Sequence, residues 1–209
     1  MPVFQLDTEQ MEFPPAFLAG DDGFLAKGGR VTGAWLEKAY RSGFYLWHNP
    51  MRLPDWYSPN PRMAFEIMHF DHDSTPGDEV LFFDEPSGFL KFMQKQVNRE
   101  PMNNFWISGM LVKAFEELYA ADKAVFMVVN NGKGNPVGYA FGAVLEGAYF
   151  GEYILSDQVF RVVCALVDVF REYEIYLADF HKPSNFFDPA WMQPVLRERY
   201  LQLLKQYTL

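Results

Sequence analysis

Three side chains able to hold or move protons stand at the ends of two apolar, strand-like runs. Glu152 interrupts Ala148–Ile154 just after Gly151, and Asp179 and His181 follow the short run Ile175–Ala178. A strand end is where a rigid scaffold presents side chains to a ligand, and carboxylates gathered there acquire chemistry. An imidazole adds a group that accepts a proton near neutral pH. The competing reading makes Glu152 the solvent-facing residue of a pleated strand and Asp179 with His181 an exposed loop pair. His69-x-Asp71-His72-Asp73 has metal-ligand residue types, but no second cluster completes a site, and no metal is assigned. The single cysteine, Cys164, lies in an apolar helical stretch, so it reads as a small buried hydrophobe and excludes an intramolecular disulfide. No Ser-His-Asp, Walker or Cys-x-x-Cys arrangement is present.

Regular elements must position these groups. Thr32 can cap a helix carrying Trp35, Leu36, Ala39 and Tyr40 before Gly43 ends it. Pro50–Pro61, with its prolines and aromatics, reads as a rigid non-helical ribbon. Ser87 is the expected cap of a helix with Phe89, Leu90, Phe92, Met93 and Val97 on its apolar side, and a further helix covers Ser108–Ala121. Val125–Val129, Val137–Leu145 and Ala148–Ile154, joined by Asn131–Gly134 and Glu146-Gly147, read as an antiparallel meander. A buried helix at Asp157–Phe170 follows, then a strand at Ile175–Asp179, then a helix carrying Trp191, Val195, Leu196, Tyr200, Leu201 and Leu204. The expected class is α+β: a small N-terminal subdomain, residues 1–64, precedes a domain of residues 65–209. The order strand-strand-strand-helix-strand-helix resembles the GNAT-like acyltransferase fold. That fold usually cradles acetyl-CoA pyrophosphate in a Gly-rich turn at the helix start. Here the turn reads Leu155-Ser156-Asp157-Gln158-Val159-Phe160, without glycine and with a repelling carboxylate, so acetyl-CoA is not expected.

Three aperiodic phrases carry a more specific resemblance: Asp22-Gly23-Phe24-Leu25-Ala26-Lys27-Gly28-Gly29, Trp56-Tyr57-Ser58-Pro59-Asn60-Pro61-Arg62, and Phe150-Gly151-Glu152-Tyr153-Ile154-Leu155-Ser156. In this order and spacing the chain resembles the leucyl/phenylalanyl-tRNA–protein transferases, which move Leu or Phe from charged tRNA to an N-terminal Lys or Arg. The resemblance implies catalytic roles for Glu152, Asp179 and His181, the last replacing a family Gln. It implies an aromatic cleft for the aminoacyl group and terminal adenosine from Trp47, Trp56, Tyr57 and Trp106. Tyr139 and Tyr153 join that wall by strand position. The implied partners are aminoacyl-tRNA, as co-substrate, and a protein or peptide N-terminus. No other cofactor is implied.

The charge map bears on that implication. The net charge of −9 speaks against general nucleic-acid affinity. Between Glu66 and Pro86 stand seven carboxylates and no Lys or Arg, where the family carries a basic stretch. Lys27, Arg30, Arg41, Arg52 and Arg62 are therefore the expected tRNA-binding cations, aided by Lys91, Lys95 and Arg99. An alternative function is a relative that kept the cleft but lost much of the tRNA surface: a binding module, or a transferase acting on another amine. The N-terminus has no basic apolar leader and no run is long enough to span a bilayer, so a cytoplasmic protein with no membrane partner is expected.

Overall fold

The computed structural model describes residues 3–20, 22–47, 52–99, 107–181 and 192–208. Trp106 and Trp191 lie outside the described residues.

Short strands β1 (Phe4–Leu6), β2 (Phe24–Gly28), β3 (Tyr45–Trp47) and β4 (Asp55–Tyr57) form a four-stranded sheet in the order β1-β2-β4-β3. The first helix, α1 (Gly33–Arg41), connects β2 to β3. Thr32 caps it, its hydroxyl accepting from Trp35 N, and Gly43 closes it at a φ of 82°. The Pro-rich ribbon is thus partly a strand, paired between β2 and β3.

The second sheet has six strands: β5 (Ala64–Glu66), β6 (Glu79–Phe82), β7 (Ala124–Asn130), β8 (Pro136–Leu145), β9 (Ala148–Leu155) and β10 (Leu177–Asp179), in the order β5-β10-β9-β8-β7-β6. β7, β8 and β9 form the expected meander, and β10 then lies parallel to β9. A parallel neighbour needs a crossover, and α4 (Val159–Glu172) supplies it. Helices α2 (Pro86–Val97), α3 (Gly109–Ala120) and α5 (Arg197–Tyr207) complete the chain. Ser87 is not the cap of α2. Glu85 accepts from Gly88 N at 2.6 Å, because Pro86 opens the helix one residue earlier, and the Ser87 hydroxyl donates to Glu116 instead.

Two apolar cores flank the six-stranded sheet. One holds Trp35, Tyr40, Trp56, Phe115, Phe150 and Tyr200 and is shared by the small sheet, α1, α2, α3 and α5. The other lies under α4 and holds Met127, Tyr149, Val163, Leu166 and Phe180. The middle of the acidic tract is tied to α4, while Glu66 bonds to Arg199 and Tyr207 of α5 and Glu85 caps α2. Arg161 makes two hydrogen bonds to Asp78, at 2.6 and 2.7 Å, and His72 Nε2 lies 3.0 Å from Asp168. Among the described residues no helix is long and apolar enough to cross a membrane.

Candidate active site

Alternation from Ala148 and Phe150 carries Glu152 to the face of the core shared with α1, and a break in that alternation brings Tyr153 to the same face. Phe141 pairs with Tyr153 and Gly142 with Gly151, leaving Glu152 as the extra residue of a β-bulge. A bulge re-aims side chains next to it, and here Glu152 and Tyr153 both face the core shared with α1. Gly142 permits the distortion: a Cβ on it would stand 2.2 Å from the Phe150 carbonyl oxygen. On parallel β10, Asp179 alternates toward the same face while Ala178 faces α4. His181 follows at a φ of 65°, a left-handed conformation uncommon outside glycine and found where function over-determines the backbone.

The three expected residues meet in one buried cluster. His181 Nε2 lies 3.5 Å from Glu152 Oε2, and His181 Nδ1 lies 3.7 Å from Asp179 Oδ2. Tyr40 donates to Glu152 Oε2 at 2.8 Å. The imidazole is near-parallel to two tyrosine rings, Tyr45 at 4.9 Å and Tyr40 at 5.8 Å between centroids. Burial disfavours its charged form, yet the closeness of the Asp179 and Glu152 carboxylates outweighs this and raises the His181 pKa. Burial, with the Glu152 charge adding to it, holds the Tyr40 phenol protonated far above its ordinary range.

Arg62 supplies the counter-charge, and this corrects its expected place on a tRNA surface. Its side chain is fully buried, as is that of Asp179. Nε and Nη2 donate to the two Asp179 oxygens at 2.9 and 2.7 Å. Tyr200 donates to Asp179 at 2.7 Å and the His181 backbone N–H at 2.8 Å. Burial alone would raise the Asp179 pKa, but the Arg62 charge and these bonds hold it far below the usual carboxylate range. Asp179 is therefore a saturated anion with no exposed surface, accepting from Arg62, Tyr200 and the His181 backbone. Of the cluster's ionisable side chains His181 is the most exposed, at 8%, while that of Glu152 is 2% exposed and those of Arg62 and Asp179 are fully buried.

Other expected site residues divide. Tyr57 is half-buried, its ring 5.8 Å from Tyr45 and hence one ring removed from His181. Tyr139 and Tyr153 are partly buried on the same sheet face as Glu152, and half-buried Trp47 ends β3. Trp56 is corrected: it is fully buried, stacked on Trp35, edge-on to Phe13, with its indole N–H donated to the Gly28 carbonyl at 2.9 Å. It is core, not cleft. The tRNA cations are mostly committed elsewhere. Arg41 is clamped by Glu37 and Glu146, Arg30 pairs with Glu9, and Lys27 lies 3.7 Å from Asp55, while Arg52 is exposed. Tyr45 and Tyr200 were not anticipated as site residues, and Tyr40 only as a helix-face hydrophobe. No local signal separates a core tyrosine from one whose hydroxyl serves a carboxylate.

Ionisable groups with perturbed pKa values gathered at adjoining strand ends mark a candidate site for proton transfer. Comparison with known sequences narrows the class. A leucyl/phenylalanyl-tRNA–protein transferase of Proteus mirabilis is 44% identical over 220 aligned residues, covering 99% of this chain and 93% of its own. Another of that name from Syntrophobacter fumaroxidans is 27% identical over 215 residues, covering 99% of this chain and 91% of its own. This chain belongs to the leucyl/phenylalanyl-tRNA–protein transferase family. No family model matches it. Among solved structures, L-PGS from Bacillus licheniformis aligns with a TM-score of 0.42 and 13% identity over 68% of this chain and 49% of its own.

Proposed function

We propose that this protein transfers Leu or Phe from charged tRNA to the N-terminal Lys or Arg of a protein. Family membership over essentially the whole chain carries the reading. The cluster's chemistry supports it. The cluster holds two carboxylates, Glu152 and Asp179, against one permanent cation, Arg62, which pairs with Asp179, so a proton on His181 or an incoming ammonium completes the balance. The acceptor α-amine, held beside Glu152, attacks the ester carbonyl carbon. The new carbon–nitrogen bond forms as the bond to the ribose oxygen breaks. The Glu152–His181 pair takes the amine proton and returns it to that oxygen. The ester is already activated, so positioning supplies much of the acceleration. Asp179, Arg62 and Tyr200 hold the imidazole, and Trp47, Tyr57, Tyr139 and Tyr153 wall the aminoacyl group.

The remaining assignments belong to the same proposal. The meander, crossover helix and parallel β10 support a GNAT-like acyltransferase arrangement. β1 to β4 forming their own sheet supports a boundary near residue 64. Acetyl-CoA has no part in the reaction: Asp157 stands at the start of α4, and the Gln158 N–H donates to Ser156 Oγ. The reaction takes place in the cytoplasm, where charged tRNA is found. Incubating the protein with radiolabelled Leu-tRNA or Phe-tRNA and an Arg- or Lys-initiated peptide should label that peptide and leave one beginning with Ala unlabelled. Absence of transfer from intact charged tRNA would favour the non-catalytic relative.

A further inference from the structure

With Arg62 buried and Lys27, Arg30 and Arg41 paired, most of the surface expected to hold nucleic acid is already spent. Among the described residues, Lys91, Lys95 and Arg99 are exposed and have no carboxylate within ion-pair distance. Their spacing is i, i+4, i+8, so they form one stripe along α2 and its first residues beyond. Phe89, Leu90, Met93 and Val97 face the core on the other side. Successive cations are about 6 Å apart along the axis. The Phe92 ring, 36% exposed, interrupts the stripe with a flat apolar surface. Basic residues interleaved with an exposed aromatic suit a sugar–phosphate chain with unstacked bases.

The stripe also borders the candidate site. Phe92 packs against Tyr139, with centroids 4.8 Å apart. Tyr139 pairs with Leu155, and two residues along, about 7 Å of strand, Phe141 pairs with Tyr153 beside Glu152. Within the acidic tract Asp78 is tied to Arg161 of α4, on the opposite face of the sheet, while Glu85 caps the start of α2, at the end away from Arg99.

We infer that the α2 stripe of Lys91, Lys95 and Arg99 binds the phosphates of the tRNA acceptor arm and directs its acylated end toward Glu152. The inference rests on the proposed aminoacyl transfer, but it is tested on binding. Lys91→Glu with Lys95→Glu is compared with a charge-matched control, Lys133→Glu with Lys205→Glu, two exposed lysines away from α2. Affinity for phenylalanyl-tRNA is measured by filter binding across a salt series, with circular dichroism to check the fold. The α2 pair should weaken binding tenfold or more and lower the log–log salt slope by about 1.5. The control should change neither.

Transfer is measured in parallel from phenylalanyl-tRNA and from 3′-O-phenylalanyl-adenosine, which has no stem. The α2 pair should raise the KM for the tRNA donor at least ten times more than for the short donor. Equal affinity and salt slope in the α2 pair and the wild type would overturn the stripe, as would a wild type that binds no tRNA. A wild type that binds tRNA through the stripe yet transfers from neither donor would instead sink the catalytic reading.

Discussion

Removing the Arg62 guanidinium tests the central geometry most severely. In Arg62→Ala, Asp179 loses two charge-assisted hydrogen bonds, at 2.9 and 2.7 Å, and the permanent cation that bonds it directly. Tyr200 and the His181 N–H remain as donors, but both are neutral. Breaking a buried pair from one side leaves an uncompensated charge in a medium with no water to screen it and costs about 3–5 kcal/mol. Urea unfolding should register this. With a slope of roughly 2–3 kcal/mol/M for a chain of this size, the midpoint should fall by about 1–2.5 M.

The pH dependence adds a second signature. Asp179 has a folded pKa far below its unfolded value, so its contribution is present above the unfolded value and is lost as pH falls toward the folded one. The gap between wild type and Arg62→Ala should therefore narrow as pH falls through the Asp179 pKa of the folded variant, which burial without Arg62 raises, by up to about 1.4 kcal/mol per pH unit. The double change Arg62→Met with Asp179→Leu should cost much less than the two single changes summed, because neither charge is then stranded. A loss below about 1 kcal/mol in Arg62→Ala, insensitive to pH, would refute the buried pair and return Arg62 to the surface.

Two further outcomes follow from the same geometry. His181 has a raised folded pKa, so its protonation adds stability that is complete below about pH 6.5 and fades as pH rises through the folded value; urea midpoints at pH 6 and pH 8.5 should show this difference in the wild type and not in His181→Gln, and a persisting difference would move the titration to another group. Trp56→Ala should cost about 3–5 kcal/mol and Trp56→Phe a fraction of that, through loss of the bond to the Gly28 carbonyl; a tenfold rise in donor KM for Trp56→Phe at unchanged melting temperature would put the indole back in a cleft.

The local sequence determined most of the fold. Thr32, Gly43 and the apolar spacing of Trp35, Leu36, Ala39 and Tyr40 specify α1 because capping and amphipathic period act within a few residues. The meander follows from turn residues set between β-branched and aromatic runs. Even the meeting of Glu152 with Asp179 and His181 could be anticipated, because strand ends and three aperiodic phrases mark positions that packing alone does not explain.

What the sequence could not order was who partners whom. Arg62 and Asp179 are 117 positions apart, and Tyr40 and Glu152 are 112 apart. A cation in a Pro-rich phrase looks like any surface arginine until β5 is laid antiparallel to β10 and draws Arg62 under Tyr200. Likewise the bulge at Glu152 depends on the register between β8 and β9, which no window of one strand contains. Charge, burial and hydrogen-bond saturation are properties of long-range contacts. Residue types determined which groups could do chemistry, and only the tertiary structure decided that Asp179 is closed in by Arg62 and Tyr200 and that Glu152 and His181 are buried beside it.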